Sequence, residues 1–254
     1  MKRTVSLLSV VVLAGGTACA VSGSQLARLR TPLLTTSRTA QAAPSGDPAA
    51  PQAATKAPQW KSRAEYDAFV VIQKASSPEA KITAANAFLA KYPNSDFKSY
   101  AVMAEWQAYV QMKNVHGAVG AAKSVLKDNA NDAFKVTALN YLAFIFPYTY
   151  KAGDPDASSQ VSQAESQAKE GLELLQHVQK PANASTSFDA QLKQYRADFN
   201  RALGFAALEQ KDYSTAINYL KAAEQDNPKD SYTLSFLGEA YLFSKPPDYN
   251  DALW

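Results

Sequence analysis

The sequence is short of the residues that most often carry chemistry. Of 254 residues, one is cysteine, Cys19, and two are histidine, His116 and His177. That leaves no pair for a disulfide and too few soft ligands for a zinc site, so neither a metal nor a cofactor is expected. No Ser, His, Asp constellation and no phosphate-cradling glycine loop stands in the chain, and no catalytic residue is assigned. His116 falls at a helix start and His177 near a helix end, where an imidazolium favours the dipole; both positions are more often structural. Glycine is scarce as well, with four of the 10 in the first 58 residues, too few for a protein built on tight hairpins. Long apolar runs are lacking, and a mean hydropathy of -0.28 excludes a polytopic membrane protein. Nor does one sign of charge prevail: 26 Lys and Arg against 23 Asp and Glu give +3 without a basic run. No nucleic-acid partner is expected.

What charge there is sits unevenly. Residues 1–58 hold Lys2, Arg3, Arg28, Arg30, Arg38 and Lys56 against Asp47 alone, so the mild basicity belongs to the N-terminal segment. Lys2 and Arg3 precede an apolar stretch, Val5 to Ala14, then small residues and Ala18-Cys19-Ala20. That order is a charged region, an apolar region and an A-x-A cleavage site, which reads as a signal peptide over 1–20 and implies export to the periplasm or cell envelope. Gly16-Thr17-Ala18-Cys19 also resembles the box that precedes the lipidated cysteine of bacterial lipoproteins, although Gly16 stands where such boxes have an aliphatic residue. A membrane contact is expected only through such an anchor at Cys19. Residues 21–58, rich in Ala, Pro, Ser, Thr and Gln, cannot bury enough surface to offset chain entropy and read as a disordered linker.

From Trp60 onward the apolar residues recur at three and four, so residues 59–254 read as all-α. Ser62-Arg63-Ala64-Glu65 has capping-box order and Ser77-Pro78 sets an N-cap before a first-turn proline. Tyr66, Phe69 and Val70 are expected on one inner face, and Ile82, Ala85, Phe88 and Leu89 on the next. Helices are expected at about 97–112, 116–127, 133–146, 158–179, 188–210, 212–226 and 231–244, spaced by the periodicity. Every proline beyond residue 58 is expected between or at the start of helices. The segment from Pro147 to Ser159 reads as an insertion, packed by Tyr141, Phe144, Phe146, Tyr148 and Tyr150, with a binding patch as the alternative role of these rings.

Residues 200–207 align with 234–241 at a spacing of 34, placing Leu203 on Leu237 and Gly204 on Gly238, and Ala216, Leu220, Ala223 and Pro228 follow the first copy. A fixed period of this length indicates a stacked array. These residues resemble the tetratricopeptide repeat, whose pattern is Leu-Gly-x-x-Tyr on a first helix and spaced small residues with a closing Pro on a second; Ala207 departs from the usual aromatic. The resemblance implies a right-handed α-solenoid of antiparallel helix pairs that binds a peptide or protein segment in a concave groove. Opposite the Leu203 stripe, helical geometry puts Asp198, Arg201, Phe205 and Glu209, and in the next repeat Tyr232, Ser235, Glu239 and Phe243. These eight are the candidate groove residues, with a plain solvated face as the alternative. The expected function is a non-catalytic interaction scaffold; the alternatives are a lipid-anchored outer-membrane assembly lipoprotein of the same repeat type and an all-helical hydrolase using surface carboxylates. Because the chain stops at Ala252-Leu253-Trp254, as a second helix begins, further repeats are expected beyond it.

Overall fold

The computed structural model describes residues 58–128, 130–178, 180 and 187–244. The segments read as signal and linker, with Ala18, Cys19 and Ala20, lie outside the described residues, except residue 58, and so does the terminal stretch 245–254. Among the described residues there are nine helices and no strand: α1 Arg63–Lys74, α2 Pro78–Lys91, α3 Lys98–Gln111, α4 Val115–Lys127, α5 Asp132–Thr149, α6 Ala157–His177, α7 Phe188–Glu209, α8 Tyr213–Asp226 and α9 Ser231–Phe243. The all-α expectation holds, and the helix ends fall within a few residues of those the periodicity predicts.

The caps explain the starts. Ser62 Oγ accepts from the Glu65 amide at 3.1 Å, and the Glu65 carboxylate reaches back to the Lys61 amide, one residue earlier than a simple capping box requires. Ser77 Oγ accepts from the Ala80 amide at 3.1 Å, with Pro78 at the first turn. In α1 the inner face is Phe69 and Ile72, whereas Tyr66 is exposed, because its ring turns outward to meet Trp60 and Arg63.

Two turns are copies of each other. Lys113 and Lys211 both have left-handed backbone, at φ 58° and 62°. In the first, the amides of Lys113 and Asn114 donate to Val110 and Tyr109 carbonyls at 3.1 and 2.9 Å; in the second, those of Lys211 and Asp212 donate to Leu208 and Ala207 at 2.8 and 2.9 Å. This paired bonding closes the ends of α3 and α7 and compensates the strain of a side chain at positive φ. Asn114 and Asp212 then cap the following helices, accepting from Gly117 and Thr215. The spacing is 98 residues, and beyond the turns Ala118 matches Ala216, Ala122 matches Leu220 and Val125 matches Ala223, all fully buried. At the 34-residue spacing, Leu203 and Leu237 are both buried, as are Ala206 and Ala240.

Within these matched pairs, size is exchanged. Trp106 is buried in the cluster that holds Ala122, whereas its counterpart Gly204 faces Leu220; a Cβ on Gly204 would lie 2.5 Å from Leu220 Cγ. Large against small fills the space once, and the reverse fills it again. Gly171 is likewise covered by the ring of Phe199, which a Cβ would strike.

Helices make broad contact with the next helix in sequence, and some also touch the next but one, as α5 does α7 and, more narrowly, α1 does α3 and α7 does α9. Pro147 corrects the proline expectation: it lies inside α5, which runs on to Thr149. There the proline leaves the Ala143 carbonyl without its amide donor and its ring crowds that carbonyl, two residues before the helix ends, and the Thr149 hydroxyl donates to the Ile145 carbonyl at 3.2 Å. Phe144 and Phe146 meet Tyr148 and Tyr150 of the 147–159 segment, each pair at 5.5 Å, and the rings also reach other helices. Phe146 and Tyr150 lie 5.4 and 5.7 Å from the Phe205 ring in α7, and Tyr148 lies 4.9 Å from Tyr232 in α9.

Candidate functional site

The densest meeting of polar and aromatic groups is where α5, α7 and α9 lie together. All residues of α5 from Val136 to Phe146 are buried, and so is α7 from Ala197 to Leu208, because each is covered on more than one side. A helix buried all round cannot present a polar face, so polar residues on it must find partners inside.

They do. Arg201 Nη1 meets Asp230 Oδ2 at 2.7 Å and Arg201 Nη2 meets Asp198 Oδ1 at 3.2 Å, with the guanidinium 5.3 Å from the centre of the Phe144 ring. Asn140 of α5 and Gln194 of α7 donate to the two Asp198 oxygens at 3.2 and 3.0 Å, and the Thr233 hydroxyl donates to Asp230 at 2.7 Å. Burial pushes the Asp198 carboxyl above the usual range, with Arg201, Asn140 and Gln194 pulling the other way. Burial also acts on Asp230, but the Arg201 charge and the bonds from Thr233 and Arg201 outweigh it and hold that carboxyl low. One guanidinium thus serves two carboxylates and ties α7 to α9, while Asn140 ties α5 to both.

The candidate groove residues divide on this geometry. Asp198, Arg201 and Phe205 were expected on an open face and are instead 1%, 3% and 9% exposed. They occupy the junction between helices, since the side of α7 opposite the Leu203 stripe is covered by α5 and α9. Glu209 and Tyr232 are half-buried at the edge of that junction, and Ser235, Glu239 and Phe243 are exposed. The structure adds Tyr150 and Phe236, both half-buried, whose rings contact Phe205 at 5.7 and 4.9 Å. Burial, and then the neighbouring Glu209 carboxylate, raise the Tyr150 pKa. Loss of hydration beside α7, followed by the like charge of Glu209, raises the Glu239 carboxyl. Tyr148, Tyr150, Glu209, Tyr232, Phe236 and Glu239 therefore form one mixed aromatic and acidic strip across three helices.

A cleft of about 480 Å³ lies between α4 and α6, with Leu142, Ile145 and Phe146 on its floor and His116, Lys123, Gln163 and Gln167 on its walls. Among the described residues no group of three or more His, Cys, Asp or Glu is placed to hold a metal ion, and no helix is long and apolar enough to cross a membrane. Compared with protein-family models, with curated proteins and with solved structures, the chain matches none.

Proposed function

We propose that the chain is a non-catalytic interaction scaffold, a right-handed solenoid of antiparallel helix pairs like a tetratricopeptide array, that binds a peptide or protein segment across α5, α7 and α9. One observation carries this reading: the strip from Tyr148 to Glu239 is half-open, spans three helices and is held rigid beneath by the Asp198–Arg201–Asp230 junction. Rings with few rotamers on a rigid support lose little entropy when a partner settles on them, and aromatic anchors beside polar groups are what interfaces concentrate. The repeated turns at Lys113 and Lys211, with matched burial after each, support the array.

A photo-cross-linking residue at Ser235, on the strip side of α9, is expected to capture a partner in cells, whereas the same residue at the exposed Gln225 of α8 is expected not to. Equal capture at the two positions, or capture at Gln225 alone, would remove the assignment.

The reading places the protein in the periplasm or cell envelope, on the strength of the residues from Lys2 to Ala20. Mass spectrometry of the mature N-terminus should then find either a start at Val21 or an acylated Cys19, the second marking a lipid-anchored form. An intact Met1 in the mature chain would rule out both.

A further inference from the structure

The Asp198–Arg201–Asp230 junction keeps two carboxyls and one cation from water: Asp198 and Arg201 are buried and the Asp230 side chain is 9% exposed. The titratable groups that face Asp198 are Arg201 and Tyr195 of its own helix, Tyr148 of α5 and Asp230 before α9. Charged residues that α6 and α8 bring against α7 are engaged elsewhere, Glu165 by Lys169 and Gln210, and Asp226 by Arg196. Arg201 is thus the one cation in the group. With both carboxyls ionised, the dry cluster would hold a negative charge in excess, and two carboxyls sharing such a site do not both ionise readily.

Geometry distinguishes the two. Asp230 stands immediately before α9, where helix amides favour a negative charge, and its contacts with Arg201 and Thr233, both 2.7 Å, have the length of bonds to an ionised oxygen. Asp198 lies in the middle of α7, away from either helix end. Its contacts are 3.2 Å to Asn140, 3.0 Å to Gln194 and 3.2 Å to Arg201 Nη2, longer than the ~2.7–2.9 Å of charge-assisted bonds. Neither Nη2 nor Nε of Arg201 has an aligned acceptor, so the guanidinium is committed to Asp230 through Nη1. Asn140 suits a carboxyl that changes state. Its amide nitrogen donates to a carboxylate; turned over, its oxygen accepts the proton of the acid, and that oxygen has no other partner to lose.

We propose that Asp198 carries a proton in the folded protein, given to the Asn140 side-chain oxygen, and that loss of this proton to solvent draws Arg201 from Asp230 and loosens α9 on α7. An ionised Asp198 attracts the unengaged Nε–Nη2 edge of the guanidinium, and aligning that edge turns Nη1 away from Asp230. The joint is firm while Asp198 is protonated and slack once it is ionised. Burial acts in the same direction, raising the carboxyl, so stability falls as pH rises from the ordinary 3.8 to the raised value and is level beyond it. This goes beyond the interaction reading and does not depend on it.

The test is an infrared titration of the full chain with its aspartate carboxyls isotopically labelled. A labelled carboxylic-acid band is expected to persist as pH rises past the range in which exposed aspartates ionise, to disappear at higher pH, and to be missing from Asp198→Asn. Hydrogen exchange read on α9, corrected for the pH dependence of the intrinsic rate, should show about tenfold less protection once that band is gone. Asp198→Asn, whose amide keeps the neutral arrangement, should show no such loss. If that variant fails to fold, Asn140→Ala serves instead: it leaves Asp198 in place and should shift the pH at which the band disappears. Labelled aspartates that all ionise together in the ordinary range would overturn the proposal. So would α9 protection that does not follow the band, or that changes equally in the unaltered protein and Asp198→Asn.

Discussion

Replacing Asp230 by alanine is expected to destabilise the protein by about 3–5 kcal/mol, read as a lower urea midpoint of the full chain. The Arg201 guanidinium is 3% exposed, and Asp230 is the closer of its two carboxylates at 2.7 Å. Without Asp230 a buried cation keeps Asp198 alone, at 3.2 Å, and the Thr233 hydroxyl loses its acceptor. The desolvation of Arg201 has been incurred in either case, which is why breaking such a pair costs more than forming it contributes. A loss below about 1 kcal/mol would mean that water reaches Arg201 and that the junction is not the dry joint described.

The two carboxyls of the junction should respond to acid in opposite ways. Asp198 has a raised folded value, so its charge opposes folding near neutrality and the penalty disappears as pH falls through that value. Asp230 has a lowered folded value, so its contribution is present above its ordinary 3.8 and is lost as pH falls further. Relative to Asp198→Asn, the unaltered protein should gain stability as pH falls through the raised Asp198 value. The deficit of Asp230→Asn should stay level until about pH 4 and shrink only below it.

The second large effect is expected at Trp106, a fully enclosed ring in the cluster that also holds Val102, Ala118 and Ala122. Trp106→Ala should cost about 3–5 kcal/mol, the transfer energy of the ring plus the cavity it leaves. The sharper expectation concerns its rescue. Because Trp106 and Ala122 correspond to Gly204 and Leu220 at the 98-residue spacing, Ala122→Leu introduced into the Trp106→Ala protein recreates the packing of the later pair. It should recover about 1–2 kcal/mol there, whereas the same leucine opposite an intact Trp106 should overpack the site and destabilise it by about 1–3 kcal/mol. If the leucine lowers the urea midpoint equally in both proteins, the two pairs are not built on one plan.

Much of this architecture can be read from the amino acids, for reasons visible in particular residues. Helix starts carry their own chemistry at Ser62, Ser77, Asn114, Asn131 and Asp212, whose side-chain oxygens accept from backbone amides two or three residues on. The close approach at Gly204 was equally legible, since only a missing side chain admits Leu220 there. Three features were hidden. Pro147 reads as a break, yet α5 runs two residues past it, to Thr149. The 98-residue repeat escapes a search at 34 because α5, α6 and α7, at 18, 21 and 22 residues, are longer than their neighbours and shift the spacing.

The misplacement of Asp198 and Arg201 is the more instructive. A charged residue opposite an apolar stripe is assigned to solvent when one assumes that a helix has one buried side. Helix α7 has no open side at that level, and Ala202-Leu203-Gly204-Phe205-Ala206-Ala207-Leu208 already announces it: seven apolar residues in a row encircle the helix twice. What the residues do not announce is that the partner of Arg201 stands 29 positions away, at the start of α9. That pairing depends on how neighbouring helices register, which no local pattern encodes.

The cleft between α4 and α6 acquires a meaning from the same junction. Where each helix is held mainly by its neighbours, resistance to bending is a property of each joint separately. The joint at α7 and α9 is clamped by ionic bonds, whereas α4 and α6 stand apart over an apolar floor. Compliance is therefore expected to be unequal along the chain: an applied load should flex the molecule about α5, opening or shutting that cleft, before it disturbs the rings on α5, α7 and α9.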